Sequence, residues 1–155
     1  MRVIVCSDSH GRREILQKAL VRYPCDAVIH LGDHQKDMLS IILPENIRVE
    51  SVRGNCDIGG DEEKLIELEG KKVLITHGHR YGVKGSLDAL KSRMKETGAD
   101  IVLYGHTHVP EYEFYGRGLL LNPGALCGNR TNGQAGFAYL EWKAGGQVYI
   151  QMTEV

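Results

Sequence analysis

Five short polar clusters in the 155-residue chain carry residue types that do chemistry: Asp8-Ser9-His10, Gly32-Asp33, Gly54-Asn55, Thr76-His77-Gly78-His79 and Gly105-His106-Thr107-His108. Each follows a short apolar run. Alone, Asp-x-His or His-x-His is a weak signal, and Gly-Asp after a strand is an ordinary turn. Their joint recurrence is informative, because neighbouring strands of one sheet end along one edge, where residues distant in sequence converge.

Carboxylate oxygen, amide oxygen and imidazole nitrogen together suit a borderline divalent ion such as Mn, Fe, Ni, Co or Zn, whereas all-oxygen sites suit Mg or Ca. Asp8, His10, Asp33, Asn55, His77, His106 and His108 are too many ligands for one tetrahedral ion. They fit two ions about 3.5–4 Å apart, provided one carboxylate bridges them. Two divalent ions outweigh the carboxylates of Asp8 and Asp33 and a bridging hydroxide by about one positive charge. That surplus would attract a phosphate ester and stabilise the extra charge of its transition state. A neutral Asn55 fits this balance, since a third carboxylate would cancel it. Gly11, Gly32, Gly54, Gly78 and Gly105 each adjoin a candidate ligand, where a missing Cβ permits sharp turns and close approach.

The elements that must position these residues follow from hydrophobic period. Residues 1–6 form a β-branched run that stops at polar residues, as a buried strand does. Over 12–22, Ile15, Leu16, Ala19 and Leu20 recur at helical spacing, closed by Pro24. A second strand covers 27–31, a short helix 35–43 stops at Pro44, and a third strand covers 47–52. This β-α-β-α-β order predicts parallel strands with helical crossovers and sites at the strands' C-terminal ends. Residues 64–77 pair two strands across Glu69-Gly70. Ser86 can cap a helix over 87–97 that stops at Gly98, and 101–104 is a strand leading into His106. Hairpins over 111–124 and 137–155, the latter turning at 144–146, imply an antiparallel second sheet packed against the first. The expected fold is α/β (α+β): two packed mixed β-sheets flanked by helices, in one domain spanning 1–155.

Composition narrows the function. Hydrophobic residues make up 42% of the chain and mean hydropathy is -0.27, as in an ordinary soluble globule. Lys+Arg number 19 against 20 Asp+Glu, for a net charge of -1, and neither half of the chain is a polycation. A nucleic-acid groove and a basic membrane patch are therefore not expected. Gly, at about 12% of the chain against a usual share of roughly 7%, and His, at 7 residues, are the two residue types in excess. The N-terminal apolar run is far shorter than the roughly 7–15 residues of a signal peptide's core, so a cytoplasmic location is expected. Cys6, Cys25, Cys56 and Cys127 lie far apart without a CxxC pair, which predicts reduced, mostly buried thiols rather than disulfides or a zinc ribbon.

The order D-x-H, G-D, G-N, H, G-H-x-H over residues 8–108 resembles the calcineurin-like metallophosphoesterases, and the later hairpins suit that family's β-sandwich. Length and the Gly-Asn-Cys-Asp at 54–57 resemble its small bacterial and archaeal phosphodiesterase branch. The resemblance implies that Asp8, His10, Asp33 and His108 hold one metal ion, and that Asp33, Asn55, His77 and His106 hold the other, with Asp33 bridging. It further implies two divalent ions, with Mn favoured and Ni, Fe, Co or Zn as alternatives. A bridging water would attack phosphorus in line. Asn122-Pro123-Gly124 matches a structural loop of this branch. One position departs: many members have His after Gly-Asn, where this chain has Cys56. A thiol cannot carry an imidazolium's charge, so leaving-group assistance should be weak and diesters, or esters with good leaving groups, should be preferred.

Several residues remain. His30, inside an apolar strand, is expected in the core or behind the ligands, and His34 is left open. His79 could be the missing acid; Arg53 and the pair Asn129-Arg130 could contact phosphate; Asp57 could orient a ligand. Two other functions compete. Cys6 and Arg12 have the C-x5-R spacing of low-molecular-weight tyrosine phosphatases, but Asp8 would repel phosphate there and no Asp-Pro pair is present. A scaffold like the retromer subunit, which resembles this family but has lost ligands, conflicts with all seven positions being filled. Expected partners are a small phosphoester substrate, no nucleic acid, no membrane, and a second copy of the chain if Tyr112, Phe114 and Tyr115 form an interface rather than core.

Overall fold

The computed structural model describes residues 1–155 as two five-stranded sheets packed face to face. Strands β1 (Arg2–Cys6), β2 (Ala27–His30) and β3 (Arg48–Ser51) run parallel, with helix α1 (Arg13–Arg22) and a 3₁₀ turn (Gln35–Ser40) as crossovers. The other sheet contains β4 (Glu63–Leu68), β5 (Lys71–Thr76), β6 (Ile101–Leu103), β7 (Pro110–Tyr115) and β8 (Gly118–Pro123), with α2 (Asp88–Thr97) crossing from β5 to β6. Its spatial order is β4-β5-β6-β8-β7. The first sheet is ordered β10-β9-β1-β2-β3, with β9 (Gly136–Trp142) and β10 (Val148–Glu154).

Alternation along the strands builds the layers. Val3 and Val5 of β1, Ile29 of β2, Val73 and Ile75 of β5 and Leu121 of β8 meet in the core between the sheets. Ile4 and Cys6 point the other way, onto Ile15, Leu16, Ala19 and Leu20 of α1. Leu74 and Val102 likewise pack under Leu90 and Met94 of α2. Period-2 strands with two apolar faces thus give a helix–sheet–sheet–helix stack, the fold expected from the sequence. No helix is long and apolar enough to cross a membrane.

Local signals hold where turn chemistry is specific. Glu69 and Gly70 both have positive φ, at 49° and 74°, as a two-residue hairpin turn with the strands' own twist requires. Gly98 ends α2 in the left-handed region, with Ala99 N–H bonded to Met94 O at 3.1 Å. Ser86 Oγ accepts from Asp88 N–H at 3.0 Å, so α2 starts one residue later than expected. Three expectations are corrected. Residues 35–43 are not an α-helix but a six-residue 3₁₀ turn. The last hairpin does not join the second sheet: β9 pairs antiparallel with β1, and the second sheet is mixed, with β5, β6 and β8 parallel. Strand β9 turns Ala138, Leu140 and Trp142 into the core between the sheets and pairs along one edge with β1 and along the other with β10. The thiols are not mostly buried, since Cys56 is exposed and Cys25 and Cys127 half-buried, although all four are free.

Candidate metal centre

Parallel strands β1, β2 and β3 of one sheet and β5 and β6 of the other deliver Asp8, Asp33, Asn55, His77 and His106 just past their C-terminal ends. The turns that follow are strained. Eight non-glycine residues have positive φ, and six of them are Asp8, His10, Asp33, His34, His106 and His108. Left-handed backbone in such residues costs free energy and collects at functional sites. Sequence reasoning assigned the sharp turns to neighbouring glycines, whereas much of the strain sits in the candidate ligands themselves. Gly54 and Gly105 serve a different need. A Cβ on Gly54 would fall on the carboxylate of Asp33 and 2.5 Å from its amide N, and one on Gly105 would fall on Ser7 Oγ and 3.0 Å from Asp8 Oδ2.

The imidazole of His77 organises one half of the cluster. Its Nδ1 lies 2.7 Å from Leu31 O; a carbonyl only accepts, so Nδ1 carries the proton. Nε2 then presents its lone pair to Asn55 Oδ1 at 3.2 Å, His106 Nδ1 at 3.2 Å and Asp33 Oδ2 at 3.5 Å. In the other half, His108 Nε2 is 2.9 Å from Asp8 Oδ1, and His10 Nε2 is 4.0 Å from Asp8 Oδ1 and 3.6 Å from Asp33 Oδ2. Asp33 Oδ2 therefore faces a histidine of each half, at 3.5 and 3.6 Å, nearer than Asp8 Oδ1, which lies 4.0 Å from the same two nitrogens. All seven residues singled out in the sequence are brought together.

The donor set fits a divalent cation. Lone pairs of His77, Asn55, Asp33 and Asp8 converge with no donor between them, and buried Asp8 Oδ1 has no hydrogen-bond partner despite the nearby His108 nitrogen. Acceptors packed this way need a positive charge. The electrostatics agree. Burial opposes ionisation of both Asp8 and Asp33, yet the adjacent His108 ring and Ser7 hydroxyl for the former, and the adjacent His77 ring and Cys56 N–H for the latter, hold both carboxyls below the usual range. Burial lowers the His77 pKa, but the adjacent Asp33 carboxylate and the charge of Asp8 override it and raise it. Burial and His77 push His106 down to about 4.

Outer residues fix the ligand loops. Asp8 Oδ2 accepts from Ser7 Oγ–H at 2.5 Å and His106 N–H at 3.1 Å, leaving Oδ1 for the cluster. Asp33 Oδ1 accepts from Cys56 N–H at 2.8 Å. Asp57 does orient a ligand loop: its carboxylate accepts from Gly54 and Gln35 N–H. Asn122 is structural as expected, donating to Gly105 O and Thr107 Oγ1, both at 2.9 Å. Buried His30 accepts from Gly32 N–H through Nδ1 and lies 3.1 Å from Ser9 Oγ, which donates to Asp37 Oδ2; that carboxylate also accepts from Gly11 N–H. This chain clamps the loop bearing His10. Ser9 and Asp37 were missed, as was Cys127, whose Sγ is 3.6 Å from His108 Nδ1. Nothing in their spacing announces them.

Other candidates fall elsewhere. Exposed His34 lies beside the His10 ring, tilted 55° to it with centroids 5.0 Å apart. Asn129 bonds within its own loop, to Thr131 N–H, and Arg130 is exposed. Arg53 pairs with Glu62. Cys6 is fully buried, its thiol pKa pushed up by burial, and Arg12 pairs with Glu14 at the surface, so no cysteine-phosphatase site forms.

His30 makes a pH prediction. Burial lowers its pKa from 6.5 to about 4, against the carboxylates of Asp57, Asp8 and Asp37. Below pH 6.5 the unfolded chain binds a proton that folded His30 refuses, so its contribution to stability is full above that pH and is lost as pH falls toward 4. The loss is up to about 3 kcal/mol. The melting temperature of metal-free protein should fall over this window, and less steeply in His30→Gln, which keeps an acceptor and a donor; equal slopes would contradict the assignment.

The calcineurin-like phosphoesterase superfamily domain matches residues 1–145, and the chain belongs to that family, whose members bind divalent metal. It is 36% identical over 144 residues to the probable metallophosphoesterase YsnB of Bacillus subtilis, covering 90% of this chain and 83% of the relative. It is 27% identical over 168 residues to the phosphodiesterase YfcE of Escherichia coli K12, covering 91% and 88%. Among solved structures, a Vps29 variant from Entamoeba histolytica shares the fold with a TM-score of 0.79 at 24% identity, over 100% of this chain and 99% of that one.

Proposed function

We propose that this family member is a two-metal phosphodiesterase acting on a small phosphoester. The observation that carries the proposal is Asp33 Oδ2, 3.5 Å from His77 Nε2 and 3.6 Å from His10 Nε2, the placement a bridging carboxylate needs. Asp8, His10, Asp33 and His108 would hold one ion and Asp33, Asn55, His77 and His106 the other, with Mn as the proposed metal and Ni, Fe, Co or Zn as alternatives. When bound, such a pair supplies a nucleophile at neutral pH and neutralises charge on the phosphoryl oxygens.

The chain's own residues orient these ligands and keep the site's charge positive. His77 Nδ1–H is fixed on Leu31 O, which holds Nε2 as a lone-pair donor. Asn55 adds a ligand without adding negative charge. Cys56 leaves that position without a cation: the slight desolvation of this exposed thiol and the Asp33 carboxylate raise its pKa, so it stays neutral. Burial and His77 lower the His79 pKa, so His79 faces substrate as a neutral imidazole. Poor leaving groups thus receive little help, and diesters or aryl esters are favoured. The near-neutral net charge supports a small substrate rather than a nucleic acid, and the cytoplasm is the proposed compartment.

The test is an activity grid. Chelator-stripped protein should be inactive and recover with Mn, and bis(4-nitrophenyl) phosphate should be cleaved at least about tenfold faster than an alkyl phosphate monoester. Faster monoester cleavage would reverse the substrate assignment. Chelator-resistant, vanadate-sensitive activity would overturn the metal mechanism.

A further inference from the structure

Beside the metal cluster lies a cavity of about 410 Å³, within the usual range for small-molecule sites. Two of its wall residues, Thr76 and His79, flank His77 in the chain. The His79 ring lies 5.4 Å from that of His77 and 6.1 Å from that of His106. Cavity and cluster therefore share a wall, and a molecule with its phosphorus at the cluster can reach the cavity with one arm.

The cavity is lined almost wholly by polar side chains, and its charges are unevenly shared. Glu62 accepts Arg80 Nη1 on Oε2 at 2.5 Å and Arg53 on Oε1. Glu63 accepts from Arg93 Nε at 3.1 Å and from the Tyr81 hydroxyl. Glu62 thus faces two guanidinium groups, Arg80 in the cavity wall and Arg53 outside it, while Arg93 is shared by Glu63 and Glu96. Arg80 is the cation that can leave, because its side chain is 65% exposed against 30% for Arg53 and 36% for Arg93. Glu62 would keep Arg53, so no carboxylate would be stranded, and an ion pair this exposed contributes little.

We propose that this cavity receives one arm of the substrate and that the arm carries a second anionic group, a carboxylate, sulfonate or phosphate, bound by Arg80 after release from Glu62. This rests on the phosphodiesterase reading and adds the substrate class. A planar guanidinium fork suits such an oxyanion.

The test compares bis(4-nitrophenyl) phosphate with bis(3-carboxy-4-nitrophenyl) phosphate, whose two arms both carry carboxylate, so either can enter. In Arg80→Gln the preference for the carboxylated diester in kcat/KM should fall about tenfold relative to the parent protein, through KM. Arg80→Lys should keep much of it, with melting temperature and metal content verifying the fold of both variants. An equal change for both diesters in Arg80→Gln would overturn the anion site while leaving the phosphodiesterase reading intact. Cleavage of neither diester by metal-loaded parent protein would overturn both.

Discussion

Asp33→Asn is expected to lower kcat for phosphodiester hydrolysis by about 10³-fold, equivalent to roughly 4 kcal/mol of transition-state stabilisation. The substitution preserves shape. An amide oxygen can still accept the Cys56 N–H that Asp33 Oδ1 holds at 2.8 Å, so the loop should stay in place. What is lost is charge at Oδ2, which lies nearer to His77 and His10 than Asp8 Oδ1 does. Neutral Asn is a poor bridge, and two cations without the shared anion between them repel. Metal analysis after gel filtration should show less than the parent's complement, and melting of metal-free protein should separate loss of ligand from loss of fold. Activity within about tenfold of the parent at full metal content would exclude Asp33 as the bridge.

Gly54→Ala should be among the most damaging single methyls in the molecule. The new Cβ would lie on the Asp33 carboxylate and 2.5 Å from its backbone N, and a Cβ on Gly32 would lie 2.5 Å from Gly54 N. The two loops therefore touch backbone to backbone, and neither can yield by a side-chain rotation. Overpacking of this kind costs about 3 kcal/mol, or about 6–12 °C in melting temperature for a chain of this size. It also moves Asn55 away from Asp33, so metal affinity should fall with stability. Gly11→Ala is the control: φ there is +85° but nothing lies within 4 Å of the new methyl, so the cost should be about 1 kcal/mol. Equal melting of the two variants would show that close approach is not what Gly54 provides.

Much of this protein is written locally. Strand period, the Glu69-Gly70 turn, the Gly98 stop and the Asp, Asn and His types at strand ends all depend on neighbours within a few residues, and these were legible. So were the seven polar residues as strand-end groups, although the ends of β1–β3 and of β5 and β6 belong to two sheets that only packing brings together. Partners across the fold were not. That β9 sits on β1 depends on packing of Ala138, Leu140 and Trp142 in the core between the sheets and of Phe137 against α1. Asp37 reaches Ser9 and Gly11, and Cys127 reaches His108, across 19 to 28 residues of chain. Left-handed backbone at Asp8, Asp33 and His106 runs against their local preference and is held only by the packed loops around them. The sequence alone settled which donors stand at the strand ends. Tertiary packing decided which atom of each faces the cluster, because a lone pair is aimed by the hydrogen bond behind it, and those bonds come from distant residues.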